Sequence, residues 1–202
     1  LNMQPIQWRT SEINVLVGQN GTGKSTYMQM LAGLIPTADI PQLNVSYKPQ
    51  NLKGKYPGTV LSLLQTRIGS MLTNATYITN VLEPLQLRVL YTSLVTQLSG
   101  GELQRVAIAL CLGKPADVYL LDEPSSMLDV EMRLNACIAI KRYVKATSRN
   151  AFIIDHDVMM SAYLADQLIV FTGTPGHNCT ARQLSKQEGF NLLCKELNVT
   201  LR

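Results

Sequence analysis

The sequence predicts an α/β fold built on a largely parallel sheet and interrupted by a helical insert, and three observations carry that expectation. Short apolar runs at 13–17 and 118–121 have the length of buried strands. Residues 24–32 and the stretch from Leu103 onward space their apolar side chains as helices do. Between them, residues 51–97 carry Leu61, Leu63, Leu64, Ile68, Met71, Leu72, Ile78 and Val81 without the alternation a strand would require. Strand and helix patterns that alternate along a chain point to parallel strands joined by crossover helices.

The first strand runs directly into Gly18-Gln-Asn-Gly-Thr-Gly-Lys-Ser25, which fits the phosphate-loop pattern G-x-x-x-x-G-K-[ST]. A loop whose successive backbone N–H groups must all face one anion needs unusual dihedrals and few side chains, hence its glycines. The helix that follows, closed by Gly33, adds the partial positive charge of its N-terminus. The expected ATP-binding set is Gly18, Gln19, Asn20, Gly21, Thr22, Gly23, Lys24, Ser25 and Thr26. Lys24 is expected to reach the β- and γ-phosphates and Ser25 to present its hydroxyl to magnesium, so magnesium with ATP is the implied ligand.

Two later elements carry the rest of the chemistry. Leu98-Ser-Gly-Gly-Glu102 opens a helix whose apolar positions Leu103, Val106, Ala107 and Leu110 follow helical spacing and which closes at Gly113 and Pro115. Ser99 with Gly100 and Gly101 at its start is a second anion-binding end, although such a turn alone is also an ordinary helix cap. In Asp117-Val-Tyr-Leu-Leu-Asp-Glu-Pro124 the buried strand ends in two consecutive carboxylates, which alternation is expected to send to different sides. In phosphate-loop ATPases the acid at the end of such a strand holds magnesium, here Asp122. Glu123 is then the candidate base or water-orienting group for attack on the γ-phosphate.

Composition bounds the classes. With 202 residues, 46% hydrophobic and 16% charged, the chain can bury a full core and is not of disordered composition. Its longest apolar run is far too short to span a bilayer, no membrane association is expected, and no basic-then-apolar leader opens it. It starts at Leu1 with strand-like residues and no initiator Met, so the expectation is a piece of something longer. Cys111, Cys137, Cys179 and Cys194 show no C-x-x-C spacing; Cys111 and Cys137 read as buried thiols of a reducing, cytoplasmic protein. Lys141, Arg142, Lys145 and Arg149 gather on one stretch, either a solvated helix face or a surface for an acidic partner such as RNA.

Taken in order, these elements resemble the ATP-binding-cassette ATPases, over nearly the whole span from Ile13 to about Phe171. Tyr47-Lys-Pro-Gln50 resembles that family's Q-loop, Ser126-Met-Leu-Asp129 its D-loop, and Ile153-Ile-Asp-His-Asp157 carries the expected His156. The resemblance implies that Gln50 coordinates magnesium and senses the attacking water, and that His156 contacts the γ-phosphate and holds the water with Glu123. It further implies that Asp129 bridges a dimer interface, and that Ser99, Gly100, Gly101 and Glu102 meet ATP held by a second cassette. Asp155 departs from the family, which usually has Glu there. An aromatic that stacks on adenine is expected upstream of the loop, where Trp8 is open both to that role and to core packing.

Leu43-Asn-Val-Ser-Tyr-Lys-Pro-Gln50, Gly100-Gly-Glu-Leu-Gln-Arg-Val-Ala107 and Cys111-Leu-Gly-Lys-Pro-Ala-Asp-Val-Tyr119 narrow the likeness to one branch. They resemble the second ATPase domain of the RNase L inhibitor proteins, the ribosome-recycling ATPases of archaea and eukaryotes. That resemblance implies the ribosome and its recycling and termination factors as partners beside the second cassette. The family's iron–sulfur cysteines belong to another region, so no iron–sulfur cluster is expected here. The alternative is the ATPase subunit of a membrane transporter, which shares these motifs; a chromosome-maintenance clamp would need a long coiled coil between them, and no heptad run occurs. The expected layout is one ATP-binding domain over 1–202, with its core at 1–50 and 98–175, the insert at 51–97 and a tail at 176–202 ending in a helix.

Overall fold

The computed structural model describes residues 2–3, 6–7, 9–37 and 43–196. Its elements in chain order are β1 (Asn2–Met3), β2 (Ile13–Gly18), α1 (Lys24–Leu31), β3 (Val45–Lys48), α2 (Val60–Ile68) and the single turn α3 (Ala75–Tyr77). They continue with α4 (Gly100–Gly113), β4 (Val118–Asp122), α5 (Val130–Ala146), β5 (Asn150–Ile154), α6 (Val158–Leu164), β6 (Gln167–Gly173), β7 (Cys179–Ser185) and α7 (Lys186–Glu196). Among the described residues the strands form one seven-stranded sheet in the order β1-β7-β6-β2-β5-β4-β3. Only β6 and β7 pair antiparallel, so the sheet is largely parallel, as expected.

Both faces of the sheet are covered, which is why its central strands read as unbroken apolar runs. Leu16, Val118, Leu120, Phe152 and Ile154 point to one face and pack with Tyr27, Met28 and Leu31 of α1. Ile13, Val15, Val17, Tyr119, Leu121, Ala151 and Ile153 point to the other, larger core, shared with α2, α4, α5 and α6. Asp122 continues the Val118–Leu120 row and so lies on the α1 face, the face of the phosphate loop. The C-terminal ends of β2, β3, β4 and β5 open on one edge, where ligands of such sheets bind.

The stretch from α2 to α4 is helical, but in short pieces of changing pitch. Three-ten turns at Gly69–Thr73, Leu87–Leu90 and Val95–Gln97 and a π turn at Ile78–Leu82 surround α2 and α3. Leu63, Leu64, Ile68 and Val81 are buried there, and Tyr77 donates its hydroxyl to the Ala109 carbonyl at 2.6 Å, tying the segment to α4.

Four details refine the sequence reading. A strand, β7, occupies 179–185 between the expected turn and the final helix; its polar, half-exposed pattern gave no strand signal. Of the expected strand-like residues 1–6, Asn2–Met3 form a strand, and Leu1, Gln4 and Pro5 lie outside the described residues. Of the expected apolar face of α4, Val106 is buried, whereas Leu103, Ala107 and Leu110 are only half-buried; Gln104, Ile108, Ala109, Cys111 and Leu112 are buried beside Val106. The basic cluster is largely used within the chain: Lys141 donates to the Tyr163 carbonyl, Lys145 pairs with Asp166 at 2.7 Å, and Arg149 pairs with Asp117. No helix among the described residues is long and apolar enough to cross a membrane.

Candidate active site

The loop after β2 is shaped by its backbone. Gly18 has φ 143 and lies so close to β6 that a Cβ there would stand 2.3 Å from the Phe171 carbonyl oxygen, so only glycine fits. Gly23, with φ 100, is the residue from which α1 starts. Thr22 folds inward and donates to the Gln19 carbonyl at 2.7 Å, while Ser25 and Thr26 stand exposed at the first turn of α1. Lys24 is buried and its Nζ donates to the carbonyls of Gly18 and Gln19 at 2.7 and 2.8 Å. Burial pushes its pKa down, and the carboxylates of Asp122 and Glu123 oppose that shift.

An open cleft of about 350 Å³ lies over this loop, lined by Asn20, Gly21, Gly23, Lys24, Ser25, Thr26, Gln50, Glu123, Ile154 and His156. Gln50, Glu123 and His156 enter it from behind β3, β4 and β5. Gln50 donates its amide to Glu123 Oε1 at 2.8 Å, and His156 Nε2 lies 3.0 Å from the same oxygen. The two carboxylates do separate, but not through strand alternation: β4 ends at Asp122, and Glu123 sits in a left-handed turn with φ 50. That conformation is strained for a residue with a Cβ and is held by its surroundings.

Asp122 is 3% exposed, and its Oδ1 is buried with no hydrogen-bond partner. Burial and the neighbouring Glu123 carboxylate push its pKa up, against Lys48, His156 and a hydrogen bond from Tyr47. An orphaned buried carboxylate oxygen is an acceptor suited to a cation, whose charge would favour the ionised form. With the exposed Ser25 hydroxyl and the Gln50 amide oxygen it gives a hard oxygen set of the kind magnesium takes, so the residues present fit that ion.

Ser99, Gly100, Gly101, Glu102 and Asp129 line a second cleft of about 590 Å³ with Arg105, Met127, Leu128 and Met132, and the two clefts share no lining residue. Here Ser99 caps α4: its Oγ donates to Glu102 Oε2 at 2.8 Å and accepts from the Glu102 N–H at 3.3 Å. Hydrogen bonds from Ser99 hold the Glu102 carboxyl below its usual pKa. Asp129 caps α5 by accepting from the Met132 N–H at 2.8 Å, and Met127 beside it is 78% exposed.

Sequence reasoning missed three buried polar residues behind the first cleft. Lys48, 2% exposed, donates to the Asp122 carbonyl at 2.7 Å and to the Glu123 carbonyl at 3.3 Å; burial pushes its pKa down to about 8. Gln104 donates to the Glu123 carbonyl at 2.6 Å. Asp155 accepts from the Ser125 N–H and hydroxyl at 3.1 and 2.7 Å and from the Asp157 N–H at 2.9 Å, stapling the turn after Glu123 to the one around His156. A lysine ending a short strand and a glutamine in register with Ile108 and Leu112 of α4 were the available signals. Trp8, the aromatic considered for adenine, lies outside the described residues.

A family described as ABC transporter matches residues 3–126. The chain is 46% identical to the Saccharomyces cerevisiae translation initiation factor RLI1, covering 100% of this chain and 34% of that protein. It is 40% identical to the Arabidopsis thaliana protein ABC transporter E family member 3, covering 78% of this chain and 92% of that one. Among solved structures, an RNase-L Inhibitor superposes with a TM-score of 0.92 at 42% identity, over 98% of this chain and 39% of that one. A ribosome-bound archaeal Pelota and ABCE1 assembly gives 0.94 at 43% identity, over 99% of this chain and 34% of the matched one. An ATP-binding cassette of a transporter, at 20% identity and a TM-score of 0.69, shares the fold. The chain thus spans about a third of the length of the RLI1 relative. With more than half its residues matched by the family, and a relative almost wholly covered at 40% identity, the chain belongs to the ATP-binding-cassette family and, within it, to the E branch of RNase L inhibitor-like proteins.

Proposed function

We propose that this chain is the ATP-binding and hydrolysing cassette of a cytoplasmic, ribosome-recycling ATPase, and that its active site is completed by a second cassette. The observation that carries the reading is the pair of separate clefts, one built on the phosphate loop with Gln50, Glu123 and His156, the other on Ser99–Glu102 and Asp129. Each end is half of a site.

On ATP binding, the loop N–H groups take the phosphates, and Lys24 leaves the Gly18 and Gln19 carbonyls for the β- and γ-phosphates. Ser25, Asp122 and Gln50 are the residues that would hold magnesium, which when bound neutralises charge developing on the phosphates. Glu123 orients or deprotonates the attacking water, and His156 holds that water and the γ-phosphate from the other side of the shared Glu123 Oε1. In the partner's site, Ser99 and Gly101 offer hydroxyl and N–H donors at a helix N-terminus, and the arriving phosphate replaces the Glu102 carboxylate that occupies Ser99 in this structure. Asp129, next to the exposed Met127, lies on the face that the second cassette would cover.

The ribosomal assignment draws on the E-branch relatives, among them a structure titled as the archaeal ribosomal stalk protein aP1 with the archaeal ribosome recycling factor aABCE1. The proposed layout is a core at 1–50 and 98–175, an insert at 51–97 and a tail at 176–202. Co-sedimentation of the full-length protein with ribosomes in a non-hydrolysable ATP analogue tests the reading. Nucleotide-dependent pelleting with ribosomes is expected; association with membranes alone would overturn it in favour of a transporter subunit.

A further inference from the structure

We propose that Gln104 is a positioning residue for Glu123, through which the signature end of α4 reports the partner's nucleotide to this chain's own carboxylate. The inference rests on the reading of Glu123 as the water-positioning group. Glu123 is held in its left-handed turn by its main chain. Its N–H donates to the Ile154 carbonyl at 2.8 Å, and its carbonyl accepts from Gln104 Nε2 at 2.6 Å, Ser126 Oγ at 3.0 Å and Lys48 Nζ at 3.3 Å. Gln104 makes the shortest of these bonds, also lies 3.3 Å from Ser126 Oγ, and is 2% exposed. It is the one of these donors that belongs to α4.

That placement matters because α4 begins at the second cleft. Ser99 caps it, and Gln104 follows five positions later, about 7.5 Å along the axis of a continuous helix. The start of α4 is also pressed against the turn after Glu123. A Cβ at Gly101 would stand 2.8 Å from the Met127 carbonyl oxygen, so the two segments have no slack between them. When an anion seats on Ser99 and Gly101, any shift of α4 is delivered by the Gln104 amide to the Glu123 carbonyl, and thus to the carboxylate in the first cleft. Glu123 is strained, and its turn persists only because the surrounding bonds hold it, so a change in the shortest of them bears on where the carboxylate sits. Occupancy of one site thereby sets the competence of the other, through a side chain that touches neither nucleotide.

The test uses the full-length protein with both cassettes. The partner's site is fixed in one of two states, empty through substitution of its own phosphate-loop lysine or ATP-loaded through substitution of its own water-positioning carboxylate. Single-turnover hydrolysis at this chain's site is then measured for the parent, Gln104→Leu and Glu123→Gln, together with ATP affinity and melting temperature. For Gln104→Leu we expect ATP affinity within about twofold of the parent and a rate at saturating ATP lower by about tenfold or more, as misplacement of a reacting group costs. The ratio of rates with the partner loaded and empty should fall toward one. A parental rate with a parental ratio overturns the inference, as does a parallel fall of affinity, rate and melting temperature, which marks a merely structural glutamine. If Gln104→Leu does not fold, Gln104→Met, unbranched and without a donor, is read by the same criteria. Should Glu123→Gln turn over normally, it is the reading of Glu123 that fails; a silent Glu123→Gln beside a fully responsive Gln104→Leu sinks this inference alone.

Discussion

Asp155→Ala gives the most demanding test of the packing behind the site. Asp155 is 6% exposed and its carboxylate accepts from the Ser125 N–H, the Ser125 hydroxyl and the Asp157 N–H. Hydrogen bonds to a charged group are worth about 1.5–3 kcal/mol each, but bonds sharing one carboxylate do not add independently. Removing the carboxylate leaves these donors without an acceptor, at about 1–3 kcal/mol each when buried, so a loss of about 3–5 kcal/mol in all is expected. At about 2–4 °C per kcal/mol for a domain of this size, the melting temperature should fall by about 6–20 °C. Asp155→Asn keeps an acceptor and should lose about 1–2 kcal/mol. Asp155→Glu, the residue the family usually carries here, adds a methylene to a filled space and should cost about 1–3 kcal/mol. The assay is thermal unfolding followed by far-ultraviolet circular dichroism, with urea titration as a check on the slope. An Asp155→Ala midpoint within about 2 °C of the parent would show that the staple contributes nothing.

Other outcomes follow from the same geometry. Lys24→Ala should weaken ATP binding strongly in a calorimetric titration while leaving the circular dichroism spectrum intact, since Lys24 is the lysine lining the cleft and is proposed to take the phosphates. Glu123→Gln should retain ATP and cut single-turnover hydrolysis by roughly a hundredfold or more, whereas Asp122→Asn should raise the magnesium concentration needed for half-maximal rate. In native thiol labelling read by mass spectrometry, the half-buried Cys194 should react first. Cys111 and Cys137 should wait for unfolding, because burial pushes their pKa values up to about 11 and about 12.

What the sequence made legible is what is local. The phosphate loop is contiguous, so the spacing of Gly18, Gly23 and Lys24 already contains its geometry, and the 118–121 run carries the burial of β4 on both faces. Gln50, Glu123 and His156 lie far apart in the chain and meet because β3, β4 and β5 are parallel neighbours. That convergence follows from the fold once the motifs are placed on strand ends. Lys48, Gln104 and Asp155 were not legible as site residues, since their partners are main-chain groups of distant turns that no periodicity encodes. The left-handed turn of Glu123 has no glycine to announce it, and β7 is a polar strand held by its pairing to β6 rather than by an apolar pattern.

Whether the proposed site is split between two cassettes is read from hydrolysis per site in the isolated chain, set beside that in the full-length protein. Missing oriented donors at the γ-phosphate cost about 3–4 kcal/mol, or roughly a hundred- to a thousandfold in rate. The isolated chain should therefore bind ATP and hydrolyse it slowly, with turnover rising when the partner cassette is tethered to it. Full activity from the isolated chain, at a rate per molecule independent of its concentration, would contradict the account.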